Sequence, residues 1–318
     1  MRFVLRVLLT AAIAIVVLFL GATAVIRQPS LTQQKATAQD HAADAQRLEA
    51  HVRFLTSHPN QPVVIDYIAA RFRESGGIVR VQEFVARRQT SRNVIAHFGP
   101  HDSNLPPLVI GAHHDTFGDL PGADDNASGV AGLLELARLF GKHPPRTPVT
   151  LVAFANEEPP YFQSAAMGSW RYAKRCRERK ENVVAMLSLE TIGYFSDEKG
   201  SQQYPLAEHS YPPVGNFIAF ASNLKSAALL DRTLAIFRKH SRVAAEGGAL
   251  PEDVPGVAWS DQWSFWQFGY PAVMLTDTAP FRNPHYHRST DRPHTLDYER
   301  LAGVVEGLVH VVSDLVTA

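Results

Sequence analysis

The stretch LVIGAHHDTFGDLPGADDNASGVAGLLELARLF, residues 108–140, joins two kinds of hydrophobic pattern through a polar loop. Residues 108–112 form a short apolar run, which is typical of a strand that is buried on both faces. Residues 128–140 carry apolar side chains at helical spacing. The stretch therefore predicts a strand, a polar loop at its carboxyl end, and a helix.

The same alternation of strand and helix extends through most of the chain. Further strands are predicted at 79–85, 93–98, 150–155, 183–189, 217–221 and 272–276, and further helices at 40–56, 63–74, 165–175, 227–240 and 296–316. Apolar strands separated by helices indicate a mostly parallel mixed sheet that helices cover on both faces. We expect an α/β fold within one globular domain, residues 40–318.

The composition restricts the class of protein. The chain has 318 residues, of which 45% are hydrophobic and 19% charged, so a large core is expected and global disorder is excluded. The 31 basic and 31 acidic side chains balance, which gives no general attraction to nucleic acid. The single cysteine, Cys176, excludes an internal disulfide framework. No sequence feature assigns an oligomeric state.

The first 27 residues predict export. Arg2 and Arg6 precede an apolar run at 7–26, and about 20 residues at ~1.5 Å each span a bilayer core. Basic residues before such a run keep the N-terminus in the cytoplasm, so residues 1–27 would be a signal-anchor. The alternative is a cleaved signal peptide, with a small-residue cleavage site at 22–24. We expect a polar linker at 28–39 and a domain that is membrane-anchored outside the cytoplasm, or secreted or periplasmic after cleavage.

Polar side chains follow five of the predicted structural segments. Ligands of open α/β sheets bind beyond the carboxyl ends of the strands. The residues at those positions are His113, His114 and Asp115; Asp124, Asp125 and Asn126; Glu157 and Glu158; Glu190; and His285, His287 and Asp291. Each group alone would be a turn, a helix cap or a solvated surface pair. Together, the histidines and carboxylates predict a metal site.

The alternation of side-chain direction along an extended segment separates some of the candidate histidines. His113 and Asp115 point the same way along an extended segment, and His114 points the other way. A metal-bound imidazole usually donates its second N–H to a carboxylate, so Asp115 is expected to orient His113. His285 and His287 also share a direction, so alternation leaves both as candidates.

Five segments, in this order, resemble the M28 family of zinc peptidases, which includes bacterial leucyl-type aminopeptidases. They are GAHHDT (111–116), PGADDNASG (121–129), FANEE (154–158), LETIGY (189–194) and HYHRSTDRP (285–293). The resemblance covers residues 93–318. It implies the zinc exopeptidase fold, which is phosphorylase/hydrolase-like, together with peptide substrates and two Zn²⁺ ions as cofactors.

The resemblance also implies roles for individual residues. His113 and Glu190 would bind one zinc, Glu158 and His287 the other, and Asp125 would bridge both. Asp115 would orient His113, and Glu157 would be the general base. A cis peptide is implied between Asp124 and Asp125.

Two further acids are expected behind the metal ligands, Asp124 and Asp261. For Asp261, a helix N-cap before residues 262–268 is an equally good interpretation.

The expected function is that of an exported two-zinc exopeptidase, an aminopeptidase that hydrolyses N-terminal peptide bonds with metal-activated water. A carboxypeptidase or dipeptidase is the alternative, because Glu190 stands where many such aminopeptidases carry aspartate. An inactive receptor-like ectodomain and a glutaminyl-cyclase-like acyltransferase are disfavoured. The chain keeps every ligand position and the base, and these suffice for two full zinc sites.

Overall fold

One eight-stranded sheet organises the part of the chain that the structure describes. A computed structural model describes residues 42–100, 105–205 and 211–315. The strands lie in the order β1-β2-β4-β3-β5-β8-β6-β7. They are β1 (Ile78–Ala86), β2 (Gln89–Phe98), β3 (Leu108–His113), β4 (Val149–Phe154), β5 (Ala185–Glu190), β6 (Phe217–Asn223), β7 (Ala244–Leu250) and β8 (Ala272–Thr276).

The centre of the sheet is parallel, and antiparallel pairings occur on either side of it. Strands β4, β3, β5 and β8 pair in parallel, as do β6 and β7. The pairings β1–β2, β2–β4 and β6–β8 are antiparallel. The predicted mostly parallel mixed sheet is confirmed. Because the four central strands run the same way, their carboxyl ends meet at one edge of the sheet.

Helices cover both faces of the sheet, as predicted. They are α1 (Ala45–Thr56), α2 (Pro62–Glu74), α3 (Gly129–Lys142), α4 (Gly168–Glu178), α5 (Ala227–His240), α6 (Gln262–Gln267) and α7 (Tyr298–Leu315). Helices α1, α2, α3, α5 and α7 share one core with the sheet, and α4 and α6 share a second core on the opposite face. Neighbouring strand residues face opposite cores: Leu108 and Ile110 lie in the first and Val109 in the second. This explains why the central strands are apolar at every position.

The structure departs from the predicted elements in several places, and two of them have a clear physical reason. Helix α1 begins at Ala45 because Asp44 caps it, accepting hydrogen bonds from the amides of Gln46 and Arg47. Strand β7 has the sequence AAEGGAL, which lacks an apolar run, so this strand was not predicted. Its Gly247 permits close packing, since a Cβ there would lie 2.6 Å from the side chain of Leu234.

The predicted signal-anchor or signal peptide (1–27) and the linker (28–39) lie outside the described residues. Within residues 42–100, 105–205 and 211–315, no helix has the length and hydrophobicity needed to cross a membrane.

Candidate metal centre

Five side chains converge at the carboxyl edge of the central strands. His113 is the last residue of β3 and Glu190 the last residue of β5, while Glu158 follows β4. Asp125 lies in the turn Ala123–Ser128 that leads into α3, and His287 lies in the loop after β8. The sheet therefore brings together residues that are up to 174 positions apart in the chain, 287 minus 113.

The first candidate site, which we call triad 1, consists of His113, Asp125 and Glu190. His113 Nε2 lies 3.2 Å from Asp125 Oδ1 and 3.3 Å from Glu190 Oε2. All three residues are buried. Ser260 Oγ donates a hydrogen bond of 2.6 Å to the same Glu190 oxygen, which fixes the carboxylate in place.

The second candidate site, triad 2, consists of His287, Asp125 and Glu158. His287 Nε2 lies 3.0 Å from Asp125 Oδ2 and 3.3 Å from Glu158 Oε1. Asp125 therefore turns one oxygen to each triad. The His287 side chain is 27% exposed and that of His113 is fully buried, so triad 2 is the one that faces solvent.

The facing atoms of the two triads fit a cation. Four of them are buried and have no hydrogen-bond partner among the described residues: His113 Nε2, Asp125 Oδ1, Glu158 Oε1 and His287 Nε2. An unsatisfied buried polar atom costs about 1–3 kcal/mol, so four aimed at common points call for a shared partner. Imidazole nitrogens and carboxylate oxygens are the donors that zinc takes in catalytic sites.

The charges within the cluster act on one another strongly. Burial alone would lower the pKa of His113, but the carboxylates of Glu190 and Glu157 raise it well above its usual value. Against burial, Asp125 and Glu158 raise the pKa of His287 to about 10. Burial raises the pKa of Asp125, but the two histidines lower it to about 2. Asp125 is therefore a carboxylate that neighbouring positive charge stabilises.

Asp115 is bonded to two different parts of the centre. Its carboxylate accepts the main-chain N–H groups of Glu157 at 3.1 Å and Glu158 at 3.0 Å. Its main-chain carbonyl lies 3.0 Å from His113 Nδ1, closer than its carboxylate at 3.6 Å. The nearer acceptor for His113 is therefore the carbonyl, and the carboxylate holds the turn that carries the two glutamates.

Glu157 lies beside the triads without belonging to either. Its Oε2 is 3.9 Å from His113 Nε2, and the residue is only 5% exposed. Burial raises the pKa of Glu157 well above its usual value, with Glu190 and Glu158 acting in the same direction and His113 opposing. The group is thus a buried carboxyl next to the metal ligands, with raised proton affinity.

Asp124 and Asp291 stabilise the surroundings of Asp125 through hydrogen bonds. Asp124 accepts the amide of Gly193 at 3.0 Å and the side chain of Asn283 at 2.7 Å, and burial raises its pKa to about 6. Asp291 accepts the main-chain N–H of Asp124 at 2.9 Å and that of Asp125 at 3.2 Å. Asp291, one of the strand-end acids in the sequence, thus holds the main chain of the Asp124–Asp125 turn and belongs to neither triad.

The cis peptide expected between Asp124 and Asp125 is wrong by one residue. It lies between Asp125 and Asn126. The Asn126 side chain accepts the amides of Thr191 at 3.1 Å and Gly129 at 3.2 Å, and it donates to the carbonyl of Leu189 at 2.8 Å. These three hydrogen bonds to the neighbouring main chain hold Asn126 in place. The Asp125 carboxylate remains free to face the histidines of the two triads.

The other histidines lie apart from the triads. His285, which alternation could not separate from His287, bonds Thr290 through Nδ1 at 3.0 Å. His114 points away from His113, and its Nε2 donates to the carbonyl of Arg92 at 3.0 Å.

Asp261 occupies the N-cap position of α6, but its side chain makes no capping hydrogen bond. It is fully buried, and burial raises its pKa to about 7, while the charge of His113 opposes that shift. Its neighbour Ser260, which bonds Glu190, was missed in the sequence. The only signal for Ser260 was its place next to Asp261 in the segment WSDQW (259–263).

Two aromatic rings hold His287. Phe117 and Tyr286 both stack on its imidazole, with ring centroids 4.2 and 4.0 Å away. Phe117 is 38% exposed and lies in the loop after β3, so it forms part of the rim of triad 2. Neither ring was singled out in the sequence, because an aromatic next to a histidine is common in any loop.

Two hollows open beside the centre. The apolar cavity, of about 130 Å³, contains Glu190 in its wall together with Met274, Trp259 and Tyr286. The polar cleft, of about 340 Å³, contains Glu158 and Asp115 in its wall and extends between β2 and the start of α2. The metal centre thus lies between a small apolar space and a larger polar one.

Comparison with known sequences identifies relatives over most of the chain. Uncharacterized protein YfbL of Escherichia coli is 38% identical over 317 residues, which cover 94% of this chain and 96% of that protein. A probable zinc metalloprotease of Pyrenophora teres f. teres is 29% identical over 247 residues, 67% of this chain. The match covers 50% of that fungal protein, so the chain spans about half its length.

Comparison with solved structures confirms the fold. The LapA aminopeptidase of Legionella pneumophila superposes with a TM-score of 0.69 at 18% identity, covering 91% of this chain and 79% of that one. Glutaminyl cyclase of Porphyromonas gingivalis superposes with a TM-score of 0.66 at 18% identity, covering 87% and 100%. Because the same fold supports both activities, it does not choose between them.

A comparison with protein families identifies the family to which this chain belongs. Residues 93–312 match peptidase family M28, and this region contains all five quoted segments and both triads. The resemblance found in the sequence is confirmed: the chain belongs to peptidase family M28.

Proposed function

We propose that this protein is a zinc-dependent aminopeptidase that binds two zinc ions, one in each triad. The observation that carries the proposal is the pair of three-residue ligand groups that share Asp125. A single carboxylate facing two histidines from its two oxygens is an arrangement suited to two adjacent cations. The name of the Pyrenophora relative, a probable zinc metalloprotease, favours zinc as the metal.

In this proposal, each ligand keeps the position in which the structure has it. His113, Asp125 and Glu190 would hold one ion, and His287, Asp125 and Glu158 the other. Bound zinc supplies Lewis acidity, which activates water and the scissile carbonyl for hydrolysis. Asp115 would keep Glu157 and Glu158 in place through their amides, and Ser260 would keep Glu190 in place.

Glu157 is the proposed general base. It is adjacent to triad 1, yet its carboxylate belongs to neither ligand set. A base must reach the proton of the attacking water without being occupied by metal, and of the adjacent glutamates only Glu157 meets both conditions. Its carboxylate would accept that proton and deliver it to the leaving amine.

The two hollows favour attack at the N-terminal end of a peptide. An engineered apolar cavity of about 150 Å³ holds benzene, so the apolar cavity of about 130 Å³ suits one leucine-sized side chain. A carboxypeptidase needs a cation there to hold the terminal carboxylate. The described residues that line this cavity include no lysine or arginine.

The alternatives from the sequence make distinct predictions. A glutaminyl cyclase would convert N-terminal glutamine without a hydrolytic water, and the second triad would have no part in that reaction. An inactive receptor-like ectodomain would not need the base or a complete ligand set, and this chain has both. We further propose that the protein is exported through residues 1–27, since their charge and hydrophobicity favour an anchor or a signal peptide.

The test uses the purified full-length protein in detergent. Leucyl-anilide, a free-amine leucyl peptide, its N-acetylated form and a glutaminyl peptide are assayed before and after chelation. We expect hydrolysis of the free-amine substrates only, its loss with chelator and its return with zinc. Metal analysis should give two zinc ions per chain, with one lost in Glu190→Gln and one in His287→Gln.

Each alternative has its own result. Hydrolysis of the acetylated peptide from its carboxyl end would show that the protein is a carboxypeptidase. Formation of cyclised glutamine from the glutaminyl peptide would show that it is a cyclase. A folded, zinc-loaded protein without activity on any of these substrates would favour a binding role. One zinc ion in the wild type would disprove the two-ion part alone.

A further inference from the structure

We propose that the polar cleft binds the leaving part of the peptide as an extended strand along the open edge of β2. This inference rests on the proposed aminopeptidase function, because that function requires a place for the residues after the scissile bond. It adds a binding mode, main-chain pairing with one strand, and a substrate class, extended peptides of any sequence. Three features of the cleft lead to it.

First, the cleft begins at the metal centre and shares no lining residue with the apolar cavity. Glu158 and Asp115 lie in its wall, and Glu190 lies in the wall of the apolar cavity. If one hollow takes the N-terminal side chain, the chain beyond the scissile bond must leave through the other. Its volume of about 340 Å³ lies in the usual range for ligand clefts, about 300–1,000 Å³.

Second, one wall of the cleft is a strand segment that no described strand pairs with on that side. The pairing of β2 with β4 extends from Phe98 to Val94, which faces Ala153. Residues 89–92 continue β2 beyond this point, still paired with β1 on the far side. All four of these residues line the cleft. An extended peptide in the cleft would occupy the place that β4 leaves.

Third, the main chain of this segment is turned towards the cleft. The carbonyl of Arg92 points away from β1, since it accepts a hydrogen bond from His114 Nε2 at 3.0 Å. Main-chain groups of alternate residues in a strand point to the same side. The N–H of Arg92 and both the N–H and carbonyl of Thr90 therefore face the cleft. Such an edge is the docking surface used in strand addition, where main-chain bonds give affinity.

The charges of the cleft favour recognition through the main chain. The cation at this edge, Arg92, already bonds Glu83 at 2.7 Å, so the pair adds little net charge. The four residues 89–92, at ~3.4 Å each, offer about 14 Å, enough for three or four substrate residues. The structure thus predicts tolerance of sequence and a gain in kcat/KM over the first three or four leaving residues.

Substrates methylated on single main-chain nitrogens test this with the wild-type protein. A leucyl pentapeptide amide is methylated in turn at each amide nitrogen beyond the scissile bond. Since one edge of a strand uses alternate residues, we expect kcat/KM to fall about 2- to 10-fold at every second position and to change little between them. A uniform effect, or none, would overturn the proposal.

A protein variant tests the same edge from the other side. Thr90→Pro removes the N–H that faces the cleft, and it should lower kcat/KM for the pentapeptide relative to leucyl-anilide about 2- to 10-fold. Val85→Pro is the matched control. Val85 faces Thr90 in the pairing, so its N–H points to the outer edge of the sheet, and the residue is 65% exposed.

Failure of this inference is distinguishable from failure of the proposed function. An enzyme that cleaves leucyl-anilide and peptides equally well, with no alternation, lacks the strand site but remains an aminopeptidase. A protein that cleaves neither contradicts the proposed function itself. If Thr90→Pro does not fold, the methylated substrates still decide the question.

Discussion

Glu157 and Glu158 are chemically identical neighbours, and the turn held by Asp115 sends their carboxylates to different places. Glu158 lies in triad 2 and Glu157 lies outside both triads. We expect Glu157→Gln to lower kcat about 10²- to 10⁴-fold, the usual contribution of a general base, and to leave two zinc ions bound. Enzyme kinetics and metal analysis measure both effects. Glu178→Gln, an exposed change on α4, is the control, and loss of zinc from Glu157→Gln would instead make Glu157 a ligand.

Asp291 touches no metal position, yet it holds the turn that presents Asp125. Its two oxygens accept two main-chain N–H groups, so in Asp291→Asn an amide NH₂ would face one of those donors. We expect zinc affinity to fall about 10- to 100-fold, as for other groups that orient ligands, while saturating zinc still gives two ions per chain. Competition with a chelating dye measures the affinity. Unchanged affinity would contradict the role, and Asp119→Asn, exposed in the preceding loop, is the control.

The sequence led to the residues of the centre because each follows a strand end. It could not show which oxygen of Asp115 faces His113, or that the cis bond follows Asp125, since both depend on how the turns pack. Nor did it indicate Ser260, because a serine carries no pattern until the glutamate it bonds is located.

At the scale of the elements, a partly buried histidine, His51, couples α1 to α2. His51 Nδ1 lies 2.7 Å from the Tyr67 hydroxyl, and burial, with the nearby charges of Arg71 and Arg47, lowers the pKa of His51 to about 4. Between pH 6.5 and 4 the unfolded chain binds a proton there that the folded protein does not. The free energy of unfolding should therefore fall as pH decreases through that window.

The size of this effect follows from the shift. Each unit of pKa difference contributes about 1.4 kcal/mol, so the loss by pH 4 reaches about 3 kcal/mol. Urea unfolding of His51→Gln, compared with the wild type at both ends of the window, should show a smaller loss. His294→Gln, at an exposed position, should behave as the wild type does. Parallel curves for His51→Gln and the wild type would contradict the coupling.

Elements with a strong hydrophobic pattern were predictable, and those without one were not. The central strands and helix α5 appear where the pattern placed them, because burial on both faces demands apolar residues throughout. Strand β7 forms because it pairs with β6 and because Gly247 leaves room for α5 to pack closely. Both are tertiary contacts. The intrinsic strand propensity of single residues does not report such contacts.

For the whole molecule, the metal centre joins the loops that follow four different strands. Ligands that bind only the folded state stabilise it by about 2.7 kcal/mol at 100-fold excess over Kd. A domain of this size shifts by about 2–4 °C per kcal/mol, so chelation should lower Tm by roughly 5–10 °C, and zinc should restore it. Differential scanning calorimetry measures the change. A Tm that does not change on chelation would mean that the stability of the fold does not depend on bound metal.

The overall architecture was the most predictable level of all. Apolar strands alternating with helices leave few arrangements, and the order of the motifs matches one family. The direction of attack on a peptide was not available at that level, because it depends on which hollow is apolar and which is polar.

In the proposed two-ion centre Asp125 would be shared, so the two triads would not load independently. The first cation to arrive would use one oxygen of the carboxylate and offset its negative charge, and the second would then have to approach an existing positive charge. Under limiting zinc, the population should therefore consist of singly loaded molecules rather than a mixture of empty and full ones. The ion beside His287, whose side chain is 27% exposed, should exchange faster than the inner ion. In a cell short of zinc, the protein would therefore lose its outer ion first.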